Sequence, residues 1–108
     1  MTHYEVVFSE LAARQIEELY AYIADRSGPV PALDYIARIE TYCRGLATFP
    51  ARGRSRDDLR PGLRTVGFER RVTIAFAITG ERVVILQILY GGQDVEARLR
   101  DDVDGRLT

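Results

Sequence analysis

Residues 71–90 read RVTIAFAITGERVVILQILY, and the reading of this stretch decides the fold. Between Arg71 and Ile78, the apolar residues Val72, Ile74, Phe76 and Ile78 alternate with their neighbours, the period of a β-strand packed on one face. Thr79-Gly80-Glu81 then has the chemistry of a hairpin turn. Val83 to Tyr90 is apolar at every position but Gln87, so it is expected to be a central strand or one covered on both faces. The pair predicts an antiparallel sheet whose apolar face must be buried against something else.

That partner lies upstream. Tyr4, Val6 and Phe8 alternate as a short first strand, and Ser9 stands where a helix N-cap belongs, with Glu10 in the first turn. Ala12, Ile16, Leu19 and Ile23 then lay one apolar stripe down a helix ending near Ser27-Gly28. Pro29 and Pro31 suit the first turn of a second helix, in which Ile36, Ile39, Cys43 and Leu46 form the buried face, ending near Phe49-Pro50. A short connection makes this an antiparallel helix hairpin. Ala51 to Gly62 is polar, arginine-rich and closed by Pro61-Gly62, which predicts a loop. Leu63 to Val66 is a short, weak strand. Downstream, Gly91-Gly92 ends the last strand, Asp94 can cap a short helix carrying Val95 and Leu99, and the tail 101–108 is expected to fray. The fold class is therefore α+β: an N-terminal strand, a helix hairpin, a three-stranded antiparallel sheet packed against the helices, and a short C-terminal helix. The opposite sheet face is expected to be partly open, rimmed by arginines.

The 108 residues suit a single domain, 1–108, able to form one core without metal or disulfide. The longest apolar run, Ile74 to Ile78, is too short for a membrane span, and the first fifteen residues show no signal-peptide block. The lone Cys43 sits on the stripe of the second helix and reads as a core residue in a cytoplasmic protein. The one histidine, His3, leaves little for a metal site or a histidine-activated nucleophile, so neither metal nor cofactor is expected.

There is no lysine: all fifteen basic residues are arginine, whose planar donors suit carboxylate and phosphate. Seven of them (Arg52, Arg54, Arg56, Arg60, Arg64, Arg70, Arg71) fall between 52 and 71 against Asp57, Asp58 and Glu69, a balance of +4 in a chain whose net charge is −1. This block is either a solvated loop salt-bridged to its own acids or an electropositive surface for an acidic segment or polyanion.

The order of elements resembles the RelE/ParE superfamily of bacterial toxins, and its ParE branch in particular. The residues that carry the match are Tyr4-Glu5-Val6-Val7-Phe8-Ser9, Ile23 followed by Gly28, the run Leu46 to Arg54, Pro61-Gly62-Leu63-Arg64, Arg70 to Phe76, and Ile85 to Asp94. The resemblance implies the toxin of a type II toxin–antitoxin pair, held silent by a ParD-like antitoxin with an acidic, disordered C-terminal segment.

Two mechanisms occur in the superfamily. RelE-like members resemble ribosome-dependent mRNA endonucleases, which need cations on the phosphate and an acid/base near the C-terminus. Here Arg71 and Tyr90 are the residues such a site would use. However, Gln93 is neutral where an arginine belongs, and 94–108 holds neither tyrosine nor histidine. That departure favours the ParE mechanism, inhibition of DNA gyrase by binding and without a catalytic centre. Arg52, Arg54, Arg56, Arg60, Arg64, Arg70 and Arg71 are then candidates for contact with antitoxin or target. A third reading is a member that has lost toxicity and forms half of a repressor complex. In these readings DNA is contacted only through the antitoxin, and no membrane is involved.

Overall fold

The computed structural model describes residues 3–91 and 95–101. Strand β1 (Glu5–Phe8) passes through Ser9 directly into helix α1 (Glu10–Ser27). Ser9 caps that helix, its Oγ accepting from the Ala12 N–H at 3.0 Å. Gly28, at φ +90°, both ends α1 and opens α2 (Pro29–Arg44), so the helix hairpin has no intervening loop. A 3-10 turn, Gly45–Ala47, extends α2, and Ile36, Ile39, Cys43 and Leu46 are all buried as their spacing predicts. No helix among the described residues is long and apolar enough to cross a membrane.

The expected three strands are β3 (Leu63–Phe68), β4 (Val72–Thr79) and β5 (Arg82–Tyr90), followed by α3 (Val95–Asp101). The sheet is larger than expected on both sides. Its order is β1-β5-β4-β3-β2, with β1 parallel to β5 and a two-residue β2 (Arg54–Ser55) antiparallel to β3. The stretch 51–62 is therefore not wholly loop. So short a pairing leaves no periodicity in the sequence, because it is created by β3 lying alongside. The expected Asp94 cap, together with Gly92 and Gln93, lies outside the described residues. So does the expected fraying of 101–108, except that Asp101 is the last residue of α3.

The largely apolar β5 is an interior strand, as its composition predicts. A bulge at Ala75/Phe76 pairs Ala75 with Gln87 and Phe76 with Ile85, leaving Leu86 unmatched. Val83, Ile85 and Ile88 join the main core with Ile74, Phe76 and the helix stripes, while Leu86 and Leu89 join a second cluster on the other face. There Leu63, Ala75 and Leu99 of α3 pack together, with Leu11, Leu59 and Val95 at the margin. Helix α3 covers part of this face at Leu99, and Thr65, Thr73, Ala77 and Val84 beside it are only half-buried, so the face is partly open as expected.

Strand β1 matches only Arg82 to Ile85 of β5. Beyond that point α1 takes the place of a neighbouring strand. Ser9 Oγ donates to the Leu86 carbonyl at 2.9 Å, and Gln15 Oε1 accepts from the Ile88 N–H at 2.7 Å. Gln15 Nε2 also donates to Gln87 Oε1 at 3.0 Å, and Gln87 Nε2 reaches the Arg98 carbonyl at 3.3 Å. Backbone groups that would otherwise be orphaned at a buried edge are satisfied by side chains.

Cys43 is fully buried, and burial pushes its thiol up to about 12 from an ordinary 9.0. The folded state therefore holds this proton more tightly than the unfolded chain does. The stability this contributes is complete below pH 9 and is lost as the pH rises towards 12. Urea midpoints of the wild type should fall between pH 8 and pH 10.5 more steeply than those of Cys43→Ala; equal slopes would remove the thiol as the cause.

Candidate functional site

The arginine block divides between two places. The first begins at the exit of the 3-10 turn, where the Arg52 side chain folds back on the chain. Its Nη2 donates to the Thr48 carbonyl at 2.8 Å and its Nε to the Phe49 carbonyl at 3.0 Å. Its own N–H donates to the Pro50 carbonyl at 2.8 Å, and its carbonyl accepts from Arg64 Nε at 2.9 Å. Gly53 follows at φ +78°, where the Thr65 carbonyl leaves no room for a Cβ. Arg54 is exposed on β2, opposite Thr65.

Farther along, Arg56 is held by Asp58 at 2.8 Å and by Glu96 of α3 at 3.0 Å, its side chain only 13% exposed. These carboxylates hold its guanidinium above the ordinary range. Asp57 accepts from the Gly62 N–H at 2.7 Å and from Ser55 Oγ at 3.0 Å, which lowers its carboxyl. Arg60 Nη1 is buried and has no hydrogen-bond partner among the described residues. Arg52, Arg56 and Arg64 therefore brace the loop from within.

The second place is the turn from β3 to β4. Glu69 and Arg70 both take positive φ, 49° and 65°, and the Arg71 N–H closes the turn on the Phe68 carbonyl at 3.2 Å. Neither residue is glycine, so the turn is held at some cost by the strands below it. Arg70 and Arg71 are exposed. Glu69, which the charge pattern offers as a partner for them, instead pairs with Arg38 of α2, itself also paired with Asp34.

Beneath this turn lies an aromatic cluster. Tyr90 packs on Tyr22 and Tyr35 with centroids at 5.6 and 6.3 Å, and Phe68 packs on Tyr35 and Tyr42 at 6.1 and 5.4 Å. Burial, with the Glu69 charge second, raises the Tyr35 hydroxyl, while Arg38 and Arg71 oppose the shift. Arg71 and Tyr90 do share one end of the sheet, since the Gly91 N–H donates to the Arg71 carbonyl at 2.8 Å. The Tyr90 ring is turned to the helix side, among other aromatics. Beside the turn, Ala37, Thr41, Tyr42 and Phe68 line a shallow groove of about 380 Å³ bordered by Arg38 and Glu69. Among the described residues, no group of three or more histidine, cysteine, aspartate or glutamate side chains is placed to hold a metal.

The first place lies on strands β2 and β3 at one edge of the sheet, and the second at the turn that joins β3 to β4. A family model described as the ParE toxin of the type II toxin–antitoxin system, parDE, matches residues 6–95. The chain belongs to this ParE toxin family. It is 33% identical to Toxin ParE3 of Caulobacter vibrioides over 94 residues, 87% of this chain and 93% of that protein. Toxin ParE1 of Mycobacterium tuberculosis is 28% identical, covering 86% of this chain and 95% of its own. The solved structure of a chromosomal ParDE TA system from P. aeruginosa shares the fold, with a TM-score of 0.73 at 24% identity over 82% of this chain and 97% of that one.

In this ParE-family chain, reading the sequence found the arginine block but not its division. It also missed Gln15, Glu96 and Phe49. The first two act through partners distant in sequence, Ile88 and Arg56, which no local pattern announces. For Phe49 the local signal points the wrong way, since a residue before proline is normally extended. Here its φ is +56°.

Proposed function

We propose that this ParE-type toxin inhibits DNA gyrase by binding rather than by bond chemistry, and that a ParD-like antitoxin neutralises it. The supporting observation is the exposed Arg70-Arg71 pair on a strained turn, beside the groove between α2 and Phe68. A disordered antitoxin segment bearing acidic and apolar residues would lay the apolar ones in the groove and reach the guanidiniums with its carboxylates. Coupled folding lets such a short segment cover a large face. The cytoplasm is the site of action, and the complex contacts DNA through the antitoxin.

Family membership supports gyrase as target, as do the neutral Gln93 and the absence of tyrosine or histidine in 94–108. The decisive experiment incubates antitoxin-free protein with gyrase, ATP and relaxed plasmid, and in parallel with translating ribosomes carrying a defined mRNA. Lost supercoiling or trapped cleaved plasmid with intact message is expected; codon-positioned cuts with normal supercoiling would overturn the proposal. Arg71→Glu should weaken the antitoxin complex about 30-fold or more, the ~2 kcal/mol typical of breaking a desolvated charge pair. Unchanged affinity in a calorimetric titration would take Arg71 out of that role.

A further inference from the structure

Tyr22, Val30, Leu33 and Phe49 are the large apolar side chains exposed among the described residues, and of these Phe49 alone has a left-handed backbone. Phe49 is 74% exposed, although its neighbours Ala47 and Pro50 are buried. It holds φ at +56°, a left-handed conformation unfavourable for a bulky residue and doubly so before proline. The strain is maintained from both sides. The Arg52 guanidinium grips the carbonyls of Thr48 and Phe49, Arg64 grips the carbonyl of Arg52, and Gly53 at φ +78° passes Thr65 where no Cβ would fit. A flexible loop would relax and fold the ring onto the surface; this one is braced with the ring outward. Observed strain of this kind at an exposed aromatic points to a contact made elsewhere.

The surroundings indicate what kind of contact. In sequence, Arg44, Arg52 and Arg54 lie within five residues of Phe49, and no acid occurs between Glu40 and Asp57. Arg44 and Arg54 are exposed. An exposed aromatic on a braced turn, in a segment whose charges are all cationic, fits an apolar pocket rimmed by carboxylates on a folded protein. A segment that folds only upon binding has no such pocket of its own and is suited to grooves. A duplex is the weaker fit, because the chain as a whole carries a net charge of −1.

We propose that Phe49 is the anchor by which the toxin engages its target protein, on a surface separate from the Arg70-Arg71 turn. This rests on the reading of the protein as a toxin that acts by binding a protein target. It adds the residue that would dominate the contact.

The test uses Phe49→Asn, because asparagine tolerates positive φ and should fold at least as stably as the wild type. Circular dichroism melting checks that point, with Phe49→Leu as a second variant that keeps an apolar side chain. Wild type and variants are compared for gyrase binding, for antitoxin binding, for binding to linear duplex DNA, and for growth arrest on induction. For Phe49→Asn the expected result is a loss of gyrase binding of about 30-fold or more, a weakened growth arrest, and antitoxin affinity within about twofold of wild type. Phe49→Leu should fall between the two.

Equal gyrase binding by wild type and Phe49→Asn would overturn the anchor and leave gyrase as target. No gyrase binding by the wild type, with growth arrest that Phe49→Asn abolishes, would overturn gyrase and uphold the anchor on another protein. No gyrase binding with arrest unaffected by the substitution, or with no arrest at all, would overturn both. Selective loss of antitoxin affinity would assign the ring to the antitoxin, and loss of wild-type binding to linear duplex DNA would assign it to nucleic acid; either overturns the proposal.

Discussion

Gly53→Ala is expected to lower the stability of the folded chain by about 3 kcal/mol, which for a domain of this size is a fall in melting temperature of roughly 12 °C or more. Two effects combine. An alanine at φ +78° carries the left-handed penalty of about 1–2 kcal/mol. Its Cβ would also stand 2.3 Å from the Thr65 carbonyl oxygen, a backbone atom that cannot swing away. Relief requires pulling β2 off β3, which breaks the pairing of Arg54 with Thr65 and loosens the Arg64 grip on the Arg52 carbonyl. Gly62→Ala separates the two effects. That glycine has a similar φ of +83° with nothing within 4 Å of its virtual Cβ, so only the conformational penalty should appear. Urea unfolding of the two variants side by side decides the matter. Equal losses would mean that the Gly53 contact relaxes freely.

Gln15→Leu is the second large effect, again about 3 kcal/mol. The substitution keeps apolar volume beside β5 but leaves the Ile88 N–H without its acceptor and the Gln87 side-chain carbonyl without its donor. Each buried orphan costs about 1–3 kcal/mol. Both groups belong to the length of β5 that β1 does not cover, so no strand is available to replace the lost partner. The double variant Gln15→Leu/Gln87→Leu should recover part of the loss, since it removes the buried Gln87 side-chain carbonyl that Gln15→Leu leaves unpaired, while the Arg98 carbonyl it releases belongs to an exposed residue. Strict additivity in urea unfolding would show that the two glutamines act independently and that water, rather than α1, satisfies the edge.

These two residues also show how far the amino-acid sequence could be read. The stripes of α1 and α2, the Ser9 cap, the alternation of β4 and the double-sided burial of β5 were all legible, because each depends on residues within a few positions of one another. Short-range geometry of helix and strand, together with the burial of apolar surface, is enough to fix such features. The family resemblance was likewise legible, since it rests on the order of these elements and the short motifs between them.

What the tertiary structure alone decided is the set of relations between distant segments. The parallel docking of β1 on β5, the two-residue β2, and Gln15 standing in for a missing strand all depend on which elements come to lie side by side. The division of the arginines was decided in the same way. Arg52, Arg56 and Arg64 turn inward because carbonyls and the Glu96 carboxylate are brought within reach, while Arg54, Arg70 and Arg71 are left on the surface. A guanidinium has the same charge in either setting, so composition could count the cations but not say which were free to meet a partner. Phe49 makes the same point for apolar surface. Local rules would extend or bury it, and only the brace formed by Arg52, Arg64 and Gly53 holds its ring out in water.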